Sequence, residues 1–198
     1  TMEPLGRPGH PTQVVWDTRY ADVDLTRLTD FLELEGIRLT GRATGRNRLE
    51  WPLGKWSMKH GQGEITAAMP PGAVPVVPMT KAIDPDLIAK VDPLPPALGP
   101  FNRNLEIGHV PIAGHIVYSL DPDWITVASG VAATEKTYVE FKGRTGWGQR
   151  SDMPFHVTSA DWQESDRVLA GIMTAFGAPT GGIAIGGRGE FDGVMTES

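Results

Sequence analysis

The sequence predicts a mainly β protein, built on an elongated, curved, antiparallel-rich sheet shaped like an open trough, with two short helices. Three observations support this fold class. The 198 residues include 24 glycines and 17 prolines, well above the roughly 12% that these two residues usually contribute, which indicates many turns. Apolar residues still make up 40%, which argues against a disordered chain. Finally, three long runs alternate apolar and polar residues with the period of a strand.

The composition also excludes several classes of function. With 18 Lys and Arg against 24 Asp and Glu, the net charge is −6, so we expect no nucleic-acid partner. The chain has no cysteine, which excludes disulfide frameworks, zinc-thiolate sites and thiol catalysis.

Residues 1–69 are expected to form a first β segment. Alternation from Val14 to Val23 predicts a strand. Apolar residues at helical spacing follow Asp24, which predicts a short helix near 24–34 with Asp24 as its N-cap.

The first long alternating run covers residues 37–51, and a second strand is expected after the turn at 52–54, with a bulge near His60. These strands predict an antiparallel hairpin over 37–69. Its inward, apolar face is expected to contain the odd-numbered residues Ile37, Leu39, Leu49 and Trp51.

Residues 70–101 are rich in proline, with nine prolines between Pro70 and Pro100. Proline donates no ladder hydrogen bond, so this stretch predicts a long loop or linker.

Residues 102–198 are expected to form a second β segment. A hairpin is predicted around the turn at 121–123, and the second long alternation follows at 137–147. Asp161 and an apolar stripe that contains Val168 and Leu169 predict a helix over 161–176, which we expect to pack on the sheet and cover one end of its apolar surface. The third long alternation runs from 181 to 195.

No catalytic constellation or metal motif is found, so we expect neither an enzyme nor a bound cofactor or metal. The five histidines lack the spacing of known metal sites. A row of arginines on the polar side of the first run has two interpretations. It could contact lipid phosphate or an acidic partner, or form a solvated strand face that discourages edge association; the row contains Arg38, Arg42, Arg46 and Arg48.

Two stretches carry a resemblance to a known family. They are VVWDTRYADVDLTRLTDFLELEGIRLTGRATGRNRLEWPLGKW in the first half and PFHVTSADWQESDRVLAGIMTAFGAPTGGIAIGGRGEFDGVM near the end. The order of strand, short "DLTRL" helix and "GIRLTGRATG" strand is similar to the repeating unit of the TamB-type members of the AsmA-like bacterial envelope proteins.

The resemblance implies an internal segment of a periplasmic protein that is tethered to the inner membrane through other parts of its chain. It further implies a long sheet with an apolar inner surface, associated with phospholipid transport toward the outer membrane and with outer-membrane protein assembly. The partners expected on this basis are phospholipid acyl chains and outer-membrane assembly proteins.

The predicted lipid-binding surface combines small and large residues on one face. Glycine and alanine leave volume beside a sheet unless another layer fills it, and acyl chains could occupy that volume. The residues expected to line it are Ile37, Leu39, Leu49, Val139, Phe141, Ile183, Ile185 and Phe191.

Three alternatives stay open. The two helices could cover the apolar face, with the small residues merely making room for them. The chain could instead be a stand-alone β-sandwich module that binds a protein partner through exposed sheet edges. An enzyme with dispersed catalytic residues is the third.

Overall fold

The computed structural model describes residues 12–31, 37–76, 108–146, 149–175 and 186–196. Most of these residues lie in strands, and two segments of the chain are α-helical. In chain order the elements are β1 (Gln13–Asp24), α1 (Leu25–Phe31), β2 (Ile37–Thr40), β3 (Arg42–Pro52), a 3-10 helix (Trp56–Met58), β4 (His60–Ala68), β5 (Gly108–Pro111), β6 (Ala113–Leu120), β7 (Trp124–Ala133), β8 (Thr137–Gly146), β9 (Gln149–Ser159), α2 (Trp162–Ala175) and β10 (Gly189–Thr196).

Eight of the strands form one antiparallel sheet in the order β1-β3-β4-β6-β7-β8-β9-β10, and the sheet does not close on itself. The remaining two, β2 and β5, pair with each other in parallel. The prediction of a mainly β, antiparallel-rich fold with two helices is therefore confirmed. Because β4 pairs with β6, the segments before and after the proline-rich stretch contribute to the same sheet. Most of that stretch, residues 77–101, lies outside the described residues.

The predicted hairpin over 37–69 is interrupted at Gly41. This residue has a φ of +138°, a conformation that favours glycine, and a Cβ there would lie 2.5 Å from the Ala68 carbonyl oxygen. The chain changes sheet at this point: β2 pairs with β5, whereas β3 pairs with β1 and β4. The single long strand predicted over 37–51 is therefore two shorter strands.

The second strand of that hairpin starts later than predicted. Trp56 to Met58 form a 3-10 helix, and β4 begins only at His60. This helix, in place of a bulge within a strand, accounts for the change in alternation. Trp56 packs edge-on against Trp51, with ring centroids 4.7 Å apart.

Both helices begin at the predicted N-caps. The Thr26 N–H donates to Asp24 Oδ1 at 2.9 Å, and this backbone bond lowers the pKa of Asp24. The Gln163 N–H donates to Asp161 Oδ1 at 3.1 Å. α1 is described up to Phe31, so its predicted end near 34 lies outside the described residues. α2 is described up to Ala175, so its predicted end at 176 lies outside the described residues.

α2 is attached to the sheet through buried hydroxyl groups. The Ser165 hydroxyl lies 2.6 Å from both Thr137 Oγ1 and Ser159 Oγ, and Ser165 is fully buried. Val168, one turn further on, is 4% exposed, whereas Leu169 is half-buried. The sheet end that carries Thr137 and Ser159 is consequently the best buried part of the fold.

Candidate functional site: the apolar face of the open sheet

The strand register divides the large sheet into an apolar face and a polar face. Two complete rows of the apolar face cross all eight strands, and over the described ranges the face carries no charged side chain. Residues of the first row are Tyr20, Gly45, Ile65, Ile116, Gly130, Phe141, Phe155 and Gly193; residues of the second are Val23, Ala43, Ala67, Gly114, Ala132, Val139, Val157 and Phe191.

The apolar face is incompletely covered by the described parts of the chain. Ile65, Ile116, Phe141 and Phe155 lie on interior strands, yet all four are only half-buried. The buried part lies mainly in the second row, where Ala43 is 2% exposed and Val157 is fully buried. A sheet packed against a second layer would bury the side chains of its central strands. The rest of the face is thus only partly buried by the described residues.

Glycines on this face lie beneath large side chains of their cross-strand partners. Gly130 is opposite Phe141, Gly193 opposite Phe155 and Gly63 opposite Tyr118. A Cβ at Gly130 or Gly193 would lie 2.5 Å from the partner ring. The volume expected beside these glycines is therefore occupied by neighbouring rings, which produces a smooth apolar surface instead of a row of holes.

A small polar cluster interrupts the apolar face between β1 and β6. Tyr118 Oη donates to Asn47 Oδ1 at 2.6 Å, across Gly63. Tyr20 reaches the same asparagine from β1, over Gly45. Burial raises the pKa of Tyr20, and a hydrogen bond with Asn47 acts in the opposite direction. Burial and the neighbouring Tyr20 raise the pKa of Tyr118.

At its α2 end the apolar face carries an aromatic group. The Phe191 ring packs edge-on against Phe155, with centroids 5.6 Å apart, and lies 5.3 Å from the Trp162 ring at the start of α2. Phe191 nevertheless remains 40% exposed. Through Trp162, the described part of α2 covers this corner of the face.

Four of the predicted lipid-binding residues lie on the apolar face, one of them on β3 and the other three on β8 and β10. These are Leu49, Val139, Phe141 and Phe191. Leu39 lies instead on β2, in the small parallel sheet, where it is half-buried. Ile37 is in the same strand, but its side chain is not described. Ile183 and Ile185 lie outside the described residues.

The sequence interpretation overlooked the polar cluster of Tyr20, Asn47 and Tyr118. The available signal was Asn47 itself, a polar residue at a position of the first alternating run whose neighbours at 45 and 49 are apolar. Its meaning depends on the register that brings two tyrosines from other strands beside it.

On the polar face, the arginines of β3 form ion pairs with neighbouring carboxylates. Arg42, Arg46 and Arg48 pair with Asp22, Glu64 and Glu50 at 3.7, 3.2 and 2.8 Å, respectively. These pairs are exposed, so each contributes little to stability. The pairing favours the interpretation of a solvated strand face over that of a phosphate-binding row. Arg38, the fourth member, lies on β2.

A groove of about 730 Å³ also lies on the polar face, across β6 to β10. Lys142 and His156 both line it, and Nδ1 of His156 lies 2.9 Å from Asp192 Oδ1. Within the described ranges, no group of histidines and carboxylates is arranged to hold a metal ion. None of the described helices has the length and apolar character needed to cross a membrane.

Compared with models of known protein families, with curated proteins and with solved structures, the chain shows no match. The strongest indication of function among the described residues is therefore the apolar face.

Proposed function

We propose that this chain is a segment of a TamB-like envelope protein and that its apolar face binds the acyl chains of phospholipids. One observation carries the proposal: apolar side chains on interior strands of an eight-stranded sheet, among them Ile65, Ile116 and Phe141, are only half-buried. Apolar surface left exposed in this way is characteristic of interaction sites.

The dimensions and chemistry of the face are suited to hydrocarbon. Eight strands at a spacing of about 4.8 Å give rows about 34 Å long, which exceeds the ~15 Å that the acyl chains of one leaflet span in a ~30 Å hydrocarbon core. Each CH₂ group removed from water contributes about 0.8 kcal/mol. The absence of charge from the described face means that no ion has to be desolvated when a chain binds.

The cellular setting of the proposal rests on the resemblance described above. In that setting the segment lies in the periplasm, is attached to the inner membrane through other parts of the full-length protein, and cooperates with outer-membrane assembly proteins. Its contribution is a non-catalytic surface along which acyl chains are shielded from water.

Photo-crosslinking tests the proposal directly. A photoreactive residue is placed at Val139 on the apolar face or at Lys142 on the polar face, and the purified chain is incubated with phospholipid vesicles. We expect phospholipid capture at Val139 and little at Lys142. Phe141→Glu should abolish capture at Val139, because an unpaired carboxylate opposes acyl burial, whereas Lys142→Glu should not.

Equal labelling from both faces, or capture that is unaffected by Phe141→Glu, would contradict acyl binding at this face. A third outcome is an absence of lipid capture combined with crosslinks from Val139 to residues 77–107 or 176–185 of the same chain. This result would show that the chain covers its own apolar face.

A second candidate function is binding of a protein partner at the sheet edges. Within the described residues, β1 and β10 have no neighbouring strand on their outer sides. Both carry exposed apolar residues: Val15 and Trp16 are 50% and 53% exposed on β1, and Val194 is 55% exposed on β10. Unprotected edges of this kind favour strand addition.

Edge substitutions separate the two functions. If a second copy of the chain is the partner, Trp16→Lys and Val194→Lys should remove the dimer in sedimentation velocity. They should leave lipid capture at Val139 intact. A monomeric wild-type chain would rule out self-association through these edges.

A further inference from the structure

Tyr20, Asn47 and Tyr118 form a hydrogen-bonded polar cluster on the apolar face, here called the tyrosine cluster. All three side chains are half-buried, and they come from three different strands of the sheet. Gly45 and Gly63 permit the convergence, because a Cβ at either position would collide with a tyrosine hydroxyl.

The hydrogen bonds within the cluster leave donor capacity unused. The Tyr118 hydroxyl donates to Asn47 Oδ1, so the Asn47 amide nitrogen is the group that donates to Tyr20. A tyrosine hydroxyl both donates and accepts. Over the described ranges, nothing accepts the hydroxyl proton of Tyr20.

The chemistry of this free donor limits what it can bind. The donors of the cluster are a phenol and an amide, both uncharged, and no cation lies on the described apolar face. Charged phosphate and carboxylate groups are best held by arginine, lysine or several charge-assisted bonds. A neutral acceptor oxygen close to a hydrocarbon chain is the better match.

We infer that the tyrosine cluster binds the ester carbonyl of an acyl chain lying on the apolar face, with Tyr20 as the donor. This inference rests on the proposed function, and it adds that the site distinguishes ester-linked chains from hydrocarbon alone. The hydrocarbon then extends over Ile65, Ile116 and Phe141, and the charged part of a phospholipid lies beyond the sheet.

Two neutral detergents with twelve-carbon chains provide the test. Sucrose monolaurate has an ester carbonyl next to its chain, whereas dodecyl maltoside has an ether oxygen there. Binding of each to the purified chain is followed by tryptophan fluorescence below its micelle concentration. One neutral hydrogen bond should make the ester bind about five-fold more tightly.

Variants assign the preference to the cluster. Tyr20→Phe keeps the ring over Gly45 but removes the donor, so it should weaken the ester to the level of the ether and leave the ether unchanged. Tyr118→Phe, which frees Asn47, should reduce the preference as well. Tyr138→Phe is the matched control, because Tyr138 lies on the polar face and donates to Glu140; it should retain the full preference.

The outcomes distinguish this inference from the function on which it rests. If neither detergent binds, acyl binding itself is wrong. If both bind equally, or if Tyr20→Phe retains the preference for the ester, acyl binding stands and the role of the tyrosine cluster is wrong.

Discussion

The ring of Phe141 lies over Gly130, the residue directly opposite it on the neighbouring strand, so closely that a Cβ at this glycine would be 2.5 Å from two ring carbons. The same relationship links Phe155 to Gly193. Cross-strand pairs of this kind stabilise a sheet because the ring covers the backbone that glycine leaves exposed. On this protein both rings lie on the apolar face between β7 and β10.

Gly130→Ala should therefore force the Phe141 ring outward. We expect a loss of roughly 1–3 kcal/mol in the free energy of unfolding, as for other overpacked sites, measured by chemical denaturation. In a Phe141→Ala background the same substitution should cost much less. Gly186→Ala is the control, since a Cβ at Gly186 has no atom within 4 Å. Equal costs in both backgrounds would contradict the pairing.

The hydroxyl of Ser165 joins α2 to two strands of the sheet. Ser165→Ala removes the hydrogen-bond partner that Thr137 and Ser159 share in a buried site, so it should cost about 1–3 kcal/mol. Ser57→Ala, in the exposed 3-10 helix, should change stability little. Thermal melts of both variants check the difference, and indistinguishable melts would mean that the hydroxyl contacts do not hold the helix.

Truncation of Val168 in α2 should destabilise the protein more than truncation of its larger neighbour Leu169. Val168 is 4% exposed, so Val168→Ala should cost roughly 1–3 kcal/mol. Leu169→Ala removes more atoms but from a half-buried side chain, and we expect a smaller cost. Denaturant titrations compare the two, and a larger cost for Leu169→Ala would show that the helix is rotated relative to this description.

The raised pKa of Tyr138 predicts that the stability of the fold depends on pH at alkaline values. Burial, together with the hydrogen bond to Glu140 and its charge, raises the pKa of Tyr138 to about 12. Tyrosine in an unfolded chain titrates near pH 10. The contribution of protonated Tyr138 to the free energy of unfolding is therefore fully present below about pH 10 and is lost as the pH rises toward about 12.

Tyr138→Phe should make the Tm fall less steeply over that range than in the wild type. Thermal melts at a series of alkaline pH values measure the two slopes. Identical slopes would contradict the raised pKa.

Local patterns in the sequence predict which residues share a face, but not where a strand leaves a sheet. Gly41 and Gly45 have the same position in the alternation of the first run. Only Gly41 adopts a positive φ and diverts β2 to β5, whereas Gly45 remains in β3 beneath Tyr20. The difference arises from the distant partners β4 and β5, and no neighbouring residue encodes it.

In the candidate site too, part of the arrangement was predictable from the sequence and part was not. Leu49, Val139, Phe141 and Phe191 share a face because alternation within each strand determines their side, and this was predictable. The convergence of Tyr20 and Tyr118 on Asn47 depends on the relative register of β1, β3, β4 and β6. Loop lengths alone do not determine that register.

The connectivity of the sheet has a consequence for the order of folding. From β6 to β9 each strand lies beside the next strand in the chain and follows it after a short connection, so these pairings close short loops and should form early. The pairing of β2 with β5 joins Ile37 to Gly108, and that of β4 with β6 joins Ala67 to Gly114. Both must close the long proline-containing segment, so we expect the slowest kinetic phase to be the docking of the N-terminal hairpin onto a C-terminal sheet that is already formed.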